Sequence, residues 1–317
     1  MPTIKDVAKR AGVSVATASY ALNGDERIKL ETRLKVMEAA REIEYIPNGS
    51  ARNLKRKKTN IILVFVSSFG GPIYQEILNY LDKKLSDLNY RMVICNGVLA
   101  NYLLEEKNFD AIINIDSTID SHSLINVAKY YPIIDTTRDI DENLMVSIPI
   151  PGLEPMYEAT LMAINEGYKK IGFLHGPMIS YDDRERYDGF NIAMDEFNLK
   201  PYCILEGDFT TSSGYDAIKQ YLWDNNELPE VLVCSNDEMA IGVLDYLKKI
   251  NYDLTSFKVI GFDNIQIGEY YSPKLTTVSI DRDEWTTLIV EVLDKLLNKQ
   301  EFEKRECKYE IIRRKTF

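Results

Sequence analysis

The chain contains little histidine and cysteine, two residues that are common in metal, redox and hydrolytic sites. It has only two histidines, His122 and His175, so a histidine-based metal site or catalytic triad is not expected. Its four cysteines lie far apart and form no Cys-x-x-Cys pair, which argues against zinc and disulfides and favours a reducing compartment. P-loop, Gly-x-Gly-x-x-Gly and Gly-x-Ser-x-Gly motifs are also missing. We therefore expect no metal ion, no cofactor and no enzymatic activity.

Long apolar segments are absent as well. No stretch approaches the roughly 20 apolar residues of a membrane-spanning helix, and no leader-like apolar run follows Met1. The sequence therefore predicts a cytoplasmic protein without a membrane partner. Apolar residues still make up 45% of the 317, which is enough for a sizeable core and suggests two or three domains.

The net charge of −11 is divided unevenly along the chain. Residues 1–60 contain 13 basic and 7 acidic side chains, a net charge of +6, whereas the remainder contains 25 basic and 42 acidic side chains, a net charge of −17. Because only the first part attracts a polyanion, this asymmetry predicts a cationic DNA-binding head on an acidic, soluble body.

The first residues predict two short helices around a tight turn. Thr3 can cap the first helix with Asp6 three residues later, and Gly12 suits a turn of positive φ. Ser14 can cap a second helix over Val15–Leu22, which ends near Asn23 and Gly24. Apolar residues recur at helical spacing on the side expected to be buried: Ile4, Val7, Ala8, Ala11, Ala18, Ala21 and Leu22.

A third helix and a basic segment follow. The helix is predicted from about Leu30 to Glu44, ends before Pro47, and should bury Leu34, Met37, Ala40 and Ile43. The segment after it reads ARNLKRKK from Ala51 to Lys58. By itself, this segment is either a solvated linker or a phosphate-binding element.

These motifs in this order resemble the LacI/GalR family of bacterial transcription repressors. The match runs without gaps over about 57 residues, through TIKDVAKRAGVS, TAS-x-ALN, ETRLKVMEAA and YIPN-x-x-AR-x-L. The resemblance implies a helix-turn-helix DNA-binding domain over residues 1–46, whose second helix lies in the major groove of a double-stranded operator. It also implies a hinge over residues 47–59, and a homodimer that binds a palindrome.

The resemblance assigns DNA contacts residue by residue. Positions matching Val15, Ala16 and Tyr20 face bases, and those matching Thr17 and Ser19 face the backbone. None of the three base-facing residues is an Arg, Gln or Asn able to make a bidentate base contact. We therefore expect DNA shape to contribute more of the specificity. Further candidates are Thr3, Ser14 and Asn23 in the head, and Asn48, Ala51, Arg52, Leu54 and Lys55 in the hinge.

Within the hinge, the resemblance implies a short helix that pairs with its copy on DNA. Asn48 can cap this helix, and Ala51 is small enough for a close helix approach. Leu54 matches an apolar wedge that kinks the minor groove, while Arg52 and Lys55 can neutralise phosphates.

The body alternates apolar strands with helical segments. Buried strands are predicted in IILVFV, RMVICN, AIINI and PIIDTT, and again in KIGFLHG, CILEGD, EVLVCSN and FKVIGFD. Two such series predict two doubly wound parallel-sheet lobes with a cleft at the carboxyl ends of the strands. Lobe 1 should span about 60–148 and 281–303, and lobe 2 about 149–280 and 304–317. Between Asn96 and Phe109 the chain is shorter than the family usually allows for a helix.

The body resembles the family's periplasmic-binding-protein-like sensor core. The markers are HGP, Arg-x-x-Gly at 186–189, EGDF, SNDEMAIG, VIGFDN and SPKLTTV. The resemblance implies a small-molecule effector, such as a sugar or sugar derivative, whose hydroxyls suit carboxylate, amide and guanidinium groups. The ligand-binding candidates are Ser68, Phe69, Ile73, Asp135, Arg186, Phe209, Asn236 and Asp263. Asp135 and Asp263 can instead be strand-end residues that only stabilise turns.

The sequence therefore favours a ligand-responsive transcription regulator, and in particular a repressor of sugar uptake or catabolism genes. A hydrolase using Asp135 and Asp263 is a second class, disfavoured by the basic head and the missing nucleophile motif. A solute-binding protein is a third, disfavoured by the head and the missing leader. Within the regulator class, a purine or a phosphoprotein partner remains an alternative to a sugar.

Overall fold

A computed structural model describes residues 2–46, 58–225 and 227–317. Its contacts separate the chain into two compact units, Met1–Thr59 and Asn60–Phe317. The described part of the first unit is called the head here, and the second unit is called the core.

The head is a three-helix unit with a small apolar centre. Its helices are α1 (Ile4–Ala11), α2 (Val15–Leu22) and α3 (Leu30–Glu42). Gly12 ends α1 with a φ of 63°, in the left-handed region that favours glycine. The buried residues are mostly alanine and valine, which lets the helices approach closely: Val7, Ala8, Ala11, Ala18, Ala21, Val36, Ala39 and Ala40.

The buried face of α3 differs from the prediction. Leu34 and Met37 are 57% and 52% exposed, whereas Val36, Ala39 and Ala40 are buried and Ile43 packs against them. Positions 36, 39, 40 and 43 follow one helical face, and the larger side chains at 34 and 37 lie on another. The prediction is confirmed for Ala40 and Ile43 and wrong for Leu34 and Met37, because it placed these bulkier apolar residues inside. The helix also ends at Glu42 rather than Glu44, and Pro47 lies outside the described residues.

Lobe 1 of the core is built on a fully parallel sheet. Strands β1 to β5 are arranged in the order β2-β1-β3-β4-β5. They are β1 (Ile61–Val66), β2 (Arg91–Cys95), β3 (Ala111–Ile115), β4 (Ile133–Asp135) and β5 (Met145–Ser147). One face packs against α4 (Pro72–Asp87) and α12 (Arg282–Leu297), and the other against α5 (Gly97–Glu106) and α6 (Ser121–Ala128). The strand runs predicted at 61–66 and 111–115 are confirmed to the residue.

Two details of lobe 1 depart from the sequence-based expectation. Strand β2 lies at the sheet edge, so Val93 and Ile94 are 40% and 37% exposed rather than buried. A helix does fit between Asn96 and Phe109. Its first N–H, on Gly97, donates to Asp116 Oδ2 at 2.9 Å, and Lys107 ends it in the left-handed region at a φ of 53°.

Lobe 2 contains a six-stranded sheet in the order β11-β10-β9-β8-β6-β7. Its strands are β6 (Ile171–His175), β7 (Ile204–Glu206), β8 (Val231–Cys234), β9 (Lys258–Phe262), β10 (Thr276–Ile280) and β11 (Tyr309–Ile312). All pairings are parallel except that of β10 with β11. Its helices are α7 (Leu153–Asn165), α8 (Tyr181–Glu196), α9 (Thr211–Asp224), α10 (Asp237–Lys249) and α11 (Gln266–Tyr270). No helix in the described part of the chain is long and apolar enough to cross a membrane.

Polar residues collect at the carboxyl ends of both sheets. Asp135 ends β4, and Asp116 follows β3 directly. In lobe 2, Ser235 and Asp263 follow β8 and β9. Because ligands of open α/β sheets bind at these ends, this region is the candidate cleft.

Candidate functional site

The first turn of α2 presents small side chains to solvent. Ser14 Oγ accepts a hydrogen bond from Thr17 N at 3.0 Å, which starts the helix as predicted. Val15 is 43% exposed, Ala16 is exposed and Tyr20 is 37% exposed, whereas Ala18 is fully buried. Thr17 and Ser19 are half-buried between these two sides. Val15, Ala16 and Tyr20 therefore lie on the solvent side of α2, opposite the buried Ala18.

Arg27 lies beside this face and was not found from the sequence. Its guanidinium carbon is 5.1 Å from the centroid of the Tyr20 ring. Asp25 orients it through a 2.9 Å bond from Arg27 Nε and a 2.7 Å bond from Nη2. It lies beyond the end of α2, and its sign in the sequence is the Asp25-x-Arg27 spacing. Arg27 carries a guanidinium group, a type of donor that Val15, Ala16 and Tyr20 do not have.

The other predicted DNA-binding residues are placed as follows. The Asp6 carboxylate accepts from both the N–H and the hydroxyl of Thr3, each at 2.8 Å. Asn23 is exposed and donates its side-chain amide to Ser19 O at 2.7 Å. The five hinge candidates lie outside the described residues: Asn48, Ala51, Arg52, Leu54 and Lys55.

In the cleft, Arg186 and Asp263 are brought together. The Arg186 guanidinium stacks 3.8 Å from the centroid of Phe262 and donates to Ser235 O at 2.6 Å. Its Nη2 atom is 3.5 Å from Asp263 Oδ1. Burial raises the pKa of Asp263 to about 6, although Arg186 and Arg282 act in the opposite direction. Asp263 also has a φ of 108°, a strained backbone conformation of the kind that clusters at functional sites.

Phe209 and Asn236 form the neighbouring wall of the cleft. Asn236 caps α10 by accepting from Met239 N at 3.0 Å, and its amide donates to Phe209 O at 2.9 Å. The Phe209 ring lies against Gly176, where an added Cβ would be 2.2 Å from a ring carbon. The ring is 5.9 Å from the Arg186 guanidinium. Asn236 thus fixes the loop that presents Phe209 to Arg186.

Asp135 is fully buried in lobe 1, and its carboxylate is engaged by protein groups. Oδ1 accepts from Thr137 N and Thr137 Oγ1, both at 2.8 Å, and Oδ2 is 3.1 Å from Arg138 Nε. Asn114 Nδ2 lies 3.3 Å from Oδ1. Burial raises the pKa of Asp135, and Arg138 opposes that shift. These contacts support the alternative that Asp135 stabilises the strand end and orients Arg138.

The loop after β1 carries the remaining ligand candidates. Phe69 is 66% exposed, and Ser68 Oγ accepts from Gly70 N at 3.0 Å. Ile73 packs against the apolar clusters of both lobes. The next residue, Tyr74, was missed because it reads as an ordinary helix position. Burial raises its pKa, and the carboxylates of both lobes add to the shift: Asp182, Asp116 and Asp263.

Arg282 joins the two sides of the cleft. It begins α12, and its Nη2 and Nε donate to Glu76 Oε2 of α4 at 2.7 and 3.1 Å. Its Nη1 donates to the carbonyl of Asp263 in lobe 2. A single guanidinium therefore connects lobe 1 to the strand end that bears the Asp263 carboxylate.

The described residues contain no group of three His, Cys, Asp or Glu side chains that could hold a metal ion. His175 pairs with Asp183 at 2.7 Å, and Asp183 also accepts from Gly176 N at 2.6 Å. Both side chains are buried, so this pair stabilises the β6–α8 connection.

Comparison with known proteins identifies the family. Residues 3–48 match the model of bacterial regulatory proteins of the lacI family, and residues 162–317 match a periplasmic binding protein-like domain. The chain is 31% identical to the HTH-type transcriptional regulator RegA of Clostridium saccharobutylicum, over 99% of this chain and 98% of RegA. The chain belongs to the LacI family. An HTH-type transcriptional repressor PurR, from Pasteurella multocida, is also 31% identical and covers 100% of this LacI-family chain and 98% of its own.

Solved structures agree with this assignment. A lac repressor dimer bound to operator and the anti-inducer ONPF has a TM-score of 0.85 and 25% identity, covering 99% of this chain and 98% of its own. A sugar-binding transcriptional regulator of the LacI family from Enterococcus faecalis has a TM-score of 0.76 and 30% identity, covering 83% and 99%. This LacI-family chain is thus a ligand-responsive, DNA-binding transcription regulator.

Proposed function

We propose that this LacI-family chain is a homodimeric repressor of sugar uptake or catabolism genes, acting in the cytoplasm on a palindromic operator. The observation that carries the effector assignment is the group formed by Arg186, Asp263 and Phe209. It offers donors, an acceptor and an aromatic face within a few ångströms, which suits a ring bearing hydroxyl groups. Asp135 is proposed to act indirectly, by holding Arg138.

A purine is the second candidate effector. The Phe209 ring can stack on a base as well as on a sugar, and relatives that are 31% identical are named PurR. Thermal-shift screening of the full chain with sugars, sugar derivatives and purines separates the two, because a ligand of the native state raises the melting temperature. Stabilisation by purines alone would contradict the sugar assignment.

On DNA, we propose that α2 reads the major groove mainly through apolar contact. Val15 and Ala16 can meet thymine methyl groups, and Tyr20 offers one hydroxyl. Arg27, held by Asp25 beside Tyr20, contributes a phosphate or base contact at the edge of the same surface. Selection of operator sequences from random DNA tests this proposal, and a strong guanine preference opposite Tyr20 would count against it.

Replacing Arg27 with alanine should weaken operator binding about tenfold and reduce the dependence of affinity on salt, because one cationic contact is lost. Arg10→Ala is a matched control, since Arg10 is also exposed and paired with an acidic side chain, Glu42. Titrations of a labelled operator at several salt concentrations measure both effects. Equal losses in the two variants would assign Arg27 only a general electrostatic role.

The hinge is proposed to insert Leu54 into the minor groove from both subunits. Leu54→Ala should weaken specific operator binding on the order of 10- to 100-fold, because an apolar wedge stabilises a kink worth a few kcal/mol. The unfolding transition of the free protein should not change. Non-specific DNA binding is the internal control, and an unchanged operator affinity would refute the wedge.

The homodimer is supported by exposed apolar residues on lobe 1. Val93 and Ile94 are exposed on the edge strand β2, and Leu99 and Tyr102 on α5 are 53% and 61% exposed. An unpaired apolar edge is prone to association unless another surface covers it. We propose that a second copy covers this face and thereby places two heads on one palindrome.

We propose that effector binding changes the position of one lobe relative to the other, and that this change is the switch. An effector that contacts Asp263 and Arg186 acts next to the Arg282 bridge to Glu76, so binding and lobe position are physically linked. A coupling of about 1–3 kcal/mol would change operator affinity roughly 5- to 150-fold.

A further inference from the structure

We propose that Trp285 is a positioning residue for the cleft: it anchors a stiff connection between the lobes, residues 148–152, whose other end holds Arg186 in place. These residues are called the first crossover here. The inference deepens the proposed function, because it names a route that links the effector site to lobe 1. It rests on the proposed assignment of that site.

The first crossover is short and stiff. It leads from β5, which ends at Ser147, to α7, which begins at Leu153. Its sequence is IPIPG, so the φ angles of Pro149 and Pro151 are fixed by their rings, and the residue before each proline is restricted as well. Four of its five residues therefore have few conformations. Such a segment transmits a displacement from one end to the other instead of absorbing it.

Trp285 fixes the lobe 1 end of the first crossover. Its side chain is 1% exposed and packs within the apolar core of lobe 1. The indole Nε1 atom donates to Ile148 O at 3.2 Å, and Ile148 N donates to Asp135 O at 2.9 Å. Both polar backbone groups of Ile148 are therefore bonded to lobe 1. Because a buried carbonyl that loses its donor costs free energy, removal of the indole N–H would weaken this attachment.

Gly152 places the lobe 2 end against the helix turn that bears Arg186. A Cβ atom added at Gly152 would be 2.9 Å from the Cβ atom of Glu185 and 3.4 Å from Cγ of Arg186. Gly152 has a φ of −119°, so the small size of glycine, rather than its backbone freedom, permits this close approach. In a closely packed interior, the crossover cannot move toward α8 unless the turn at Glu185 and Arg186 moves as well.

The same helix of lobe 1 is also connected to Asp263. Arg282, one turn before Trp285 on α12, donates to the carbonyl of Asp263. Asp263 is thus connected to α12 through Arg282, and Arg186 is connected to it through the first crossover and Trp285. The Arg186 and Asp263 side chains are 3.5 Å apart. An effector that changed this spacing would therefore act on one helix by two routes.

The first test measures hydrogen exchange of the full chain without ligand. Trp285→Phe keeps most of the aromatic bulk and removes the N–H group. It should speed exchange at Ile148 by at least about fivefold, because the lost hydrogen bond lets this segment open locally. If the crossover positions Arg186, exchange at Glu185 and Arg186 should rise by roughly twofold or more, whereas the amides of β8 should not change.

Phe65→Leu is the matched control for this test. It also shortens a fully buried aromatic residue of lobe 1, but Phe65 packs on the opposite face of the sheet. It should not speed exchange at Ile148, Glu185 or Arg186 relative to β8. Equal rises in all strands of the Trp285→Phe protein would show a purely structural role and overturn the proposal, as would a rise at Ile148 alone.

Pro149→Ala serves as a second variant should Trp285→Phe fail to fold. It retains the indole hydrogen bond donor and removes one restriction on the backbone of the crossover. Exchange at Glu185 and Arg186 should again rise without a change in β8. Unchanged exchange at these two residues would overturn the proposal.

A second test follows the connection in the other direction. The chain has two tryptophans, Trp223 and Trp285, so Trp223→Phe leaves Trp285 as the only one. In this background, Gly152→Ala should shift the emission maximum of Trp285, because it displaces the segment whose carbonyl accepts the indole N–H. Gly207→Ala is the control, since a Cβ atom there would be 2.5 Å from Met239 Sδ, in another part of lobe 2. Identical emission in the two glycine variants would overturn the proposal.

Neither test uses DNA or an effector, so the results are separate from the repressor assignment. A wild-type chain that bound no palindromic DNA would refute that assignment and leave the connection between Trp285 and Arg186 intact. A chain that bound its operator, but whose Trp285→Phe variant showed unchanged exchange at Arg186, would keep the repressor assignment and refute the connection.

Discussion

Replacement of Arg186 by methionine is expected to lower the free energy of unfolding of the core by about 3–5 kcal/mol at pH 7.5. The substitution removes the stacking on Phe262 and the hydrogen bond to Ser235 O, and it leaves the buried Asp263 carboxylate without its nearest cation. Methionine keeps much of the aliphatic stem, so the loss reports mainly on the guanidinium. Urea unfolding, monitored with a spectroscopic signal from the core, measures this loss in the free energy of unfolding.

A double variant tests the stated cause. Adding Asp263→Asn to Arg186→Met should recover part of the loss, because no charge is then buried without a partner. The loss should also be smaller near pH 5, where Asp263 is largely protonated given its raised pKa of about 6. Arg184→Met, exposed on the same helix, is the matched control and should cost less than about 0.5 kcal/mol. A loss below about 1 kcal/mol for Arg186→Met would show that the pairing with Asp263 contributes little.

Val93→Glu is expected to convert the proposed dimer into monomers and to lower operator affinity by on the order of 100-fold or more. In the proposed interface, the same surface of both subunits is in contact across a twofold axis. One substitution therefore introduces two carboxylates close to that axis. A monomer has a single head, and it loses the second, effectively intramolecular contact with the palindrome. Sedimentation velocity measures the first effect and operator titration the second.

Two comparisons control this experiment. Ile192→Glu replaces another exposed apolar residue, 47% accessible on α8, and should leave both the dimer and the operator affinity intact. The melting temperature of Val93→Glu should stay close to that of Ile192→Glu once dissociation is taken into account, because Val93 does not contribute to the buried cores. A Val93→Glu protein that remains dimeric would place the interface on another surface.

Local rules predicted much of the fold. Apolar runs such as IILVFV and AIINI have few alternatives to central strands, and Ser14 followed by Val15 is a strong helix start. The position of a strand within its sheet does not follow from such local rules. RMVICN reads like a buried strand, yet β2 lies at the edge, since strand order depends on crossovers that no local pattern encodes.

The candidate site was predictable only where a motif carried it. Arg186, Asp263, Phe209 and Asn236 follow from short motifs, and the structure does bring these four together. Arg27 had only the Asp25-x-Arg27 spacing as a sign in the sequence, and Tyr74 had none, because its environment is formed by carboxylates from separate elements. For Asp135 the motif identified the residue, but its neighbours Thr137 and Arg138 determine what its carboxylate contacts.

The Arg282 bridge has an evolutionary consequence. Its Nη1 atom donates to the carbonyl of Asp263, whose carboxylate lies beside Arg186 in the candidate cleft, and its other nitrogens donate to Glu76 on the opposite lobe. Substitutions that retune recognition near position 263 will shift the same backbone segment that ties the lobes together. If the proposed effector site is correct, specificity and response cannot change independently in this protein, and a new effector would require compensating changes around Arg282.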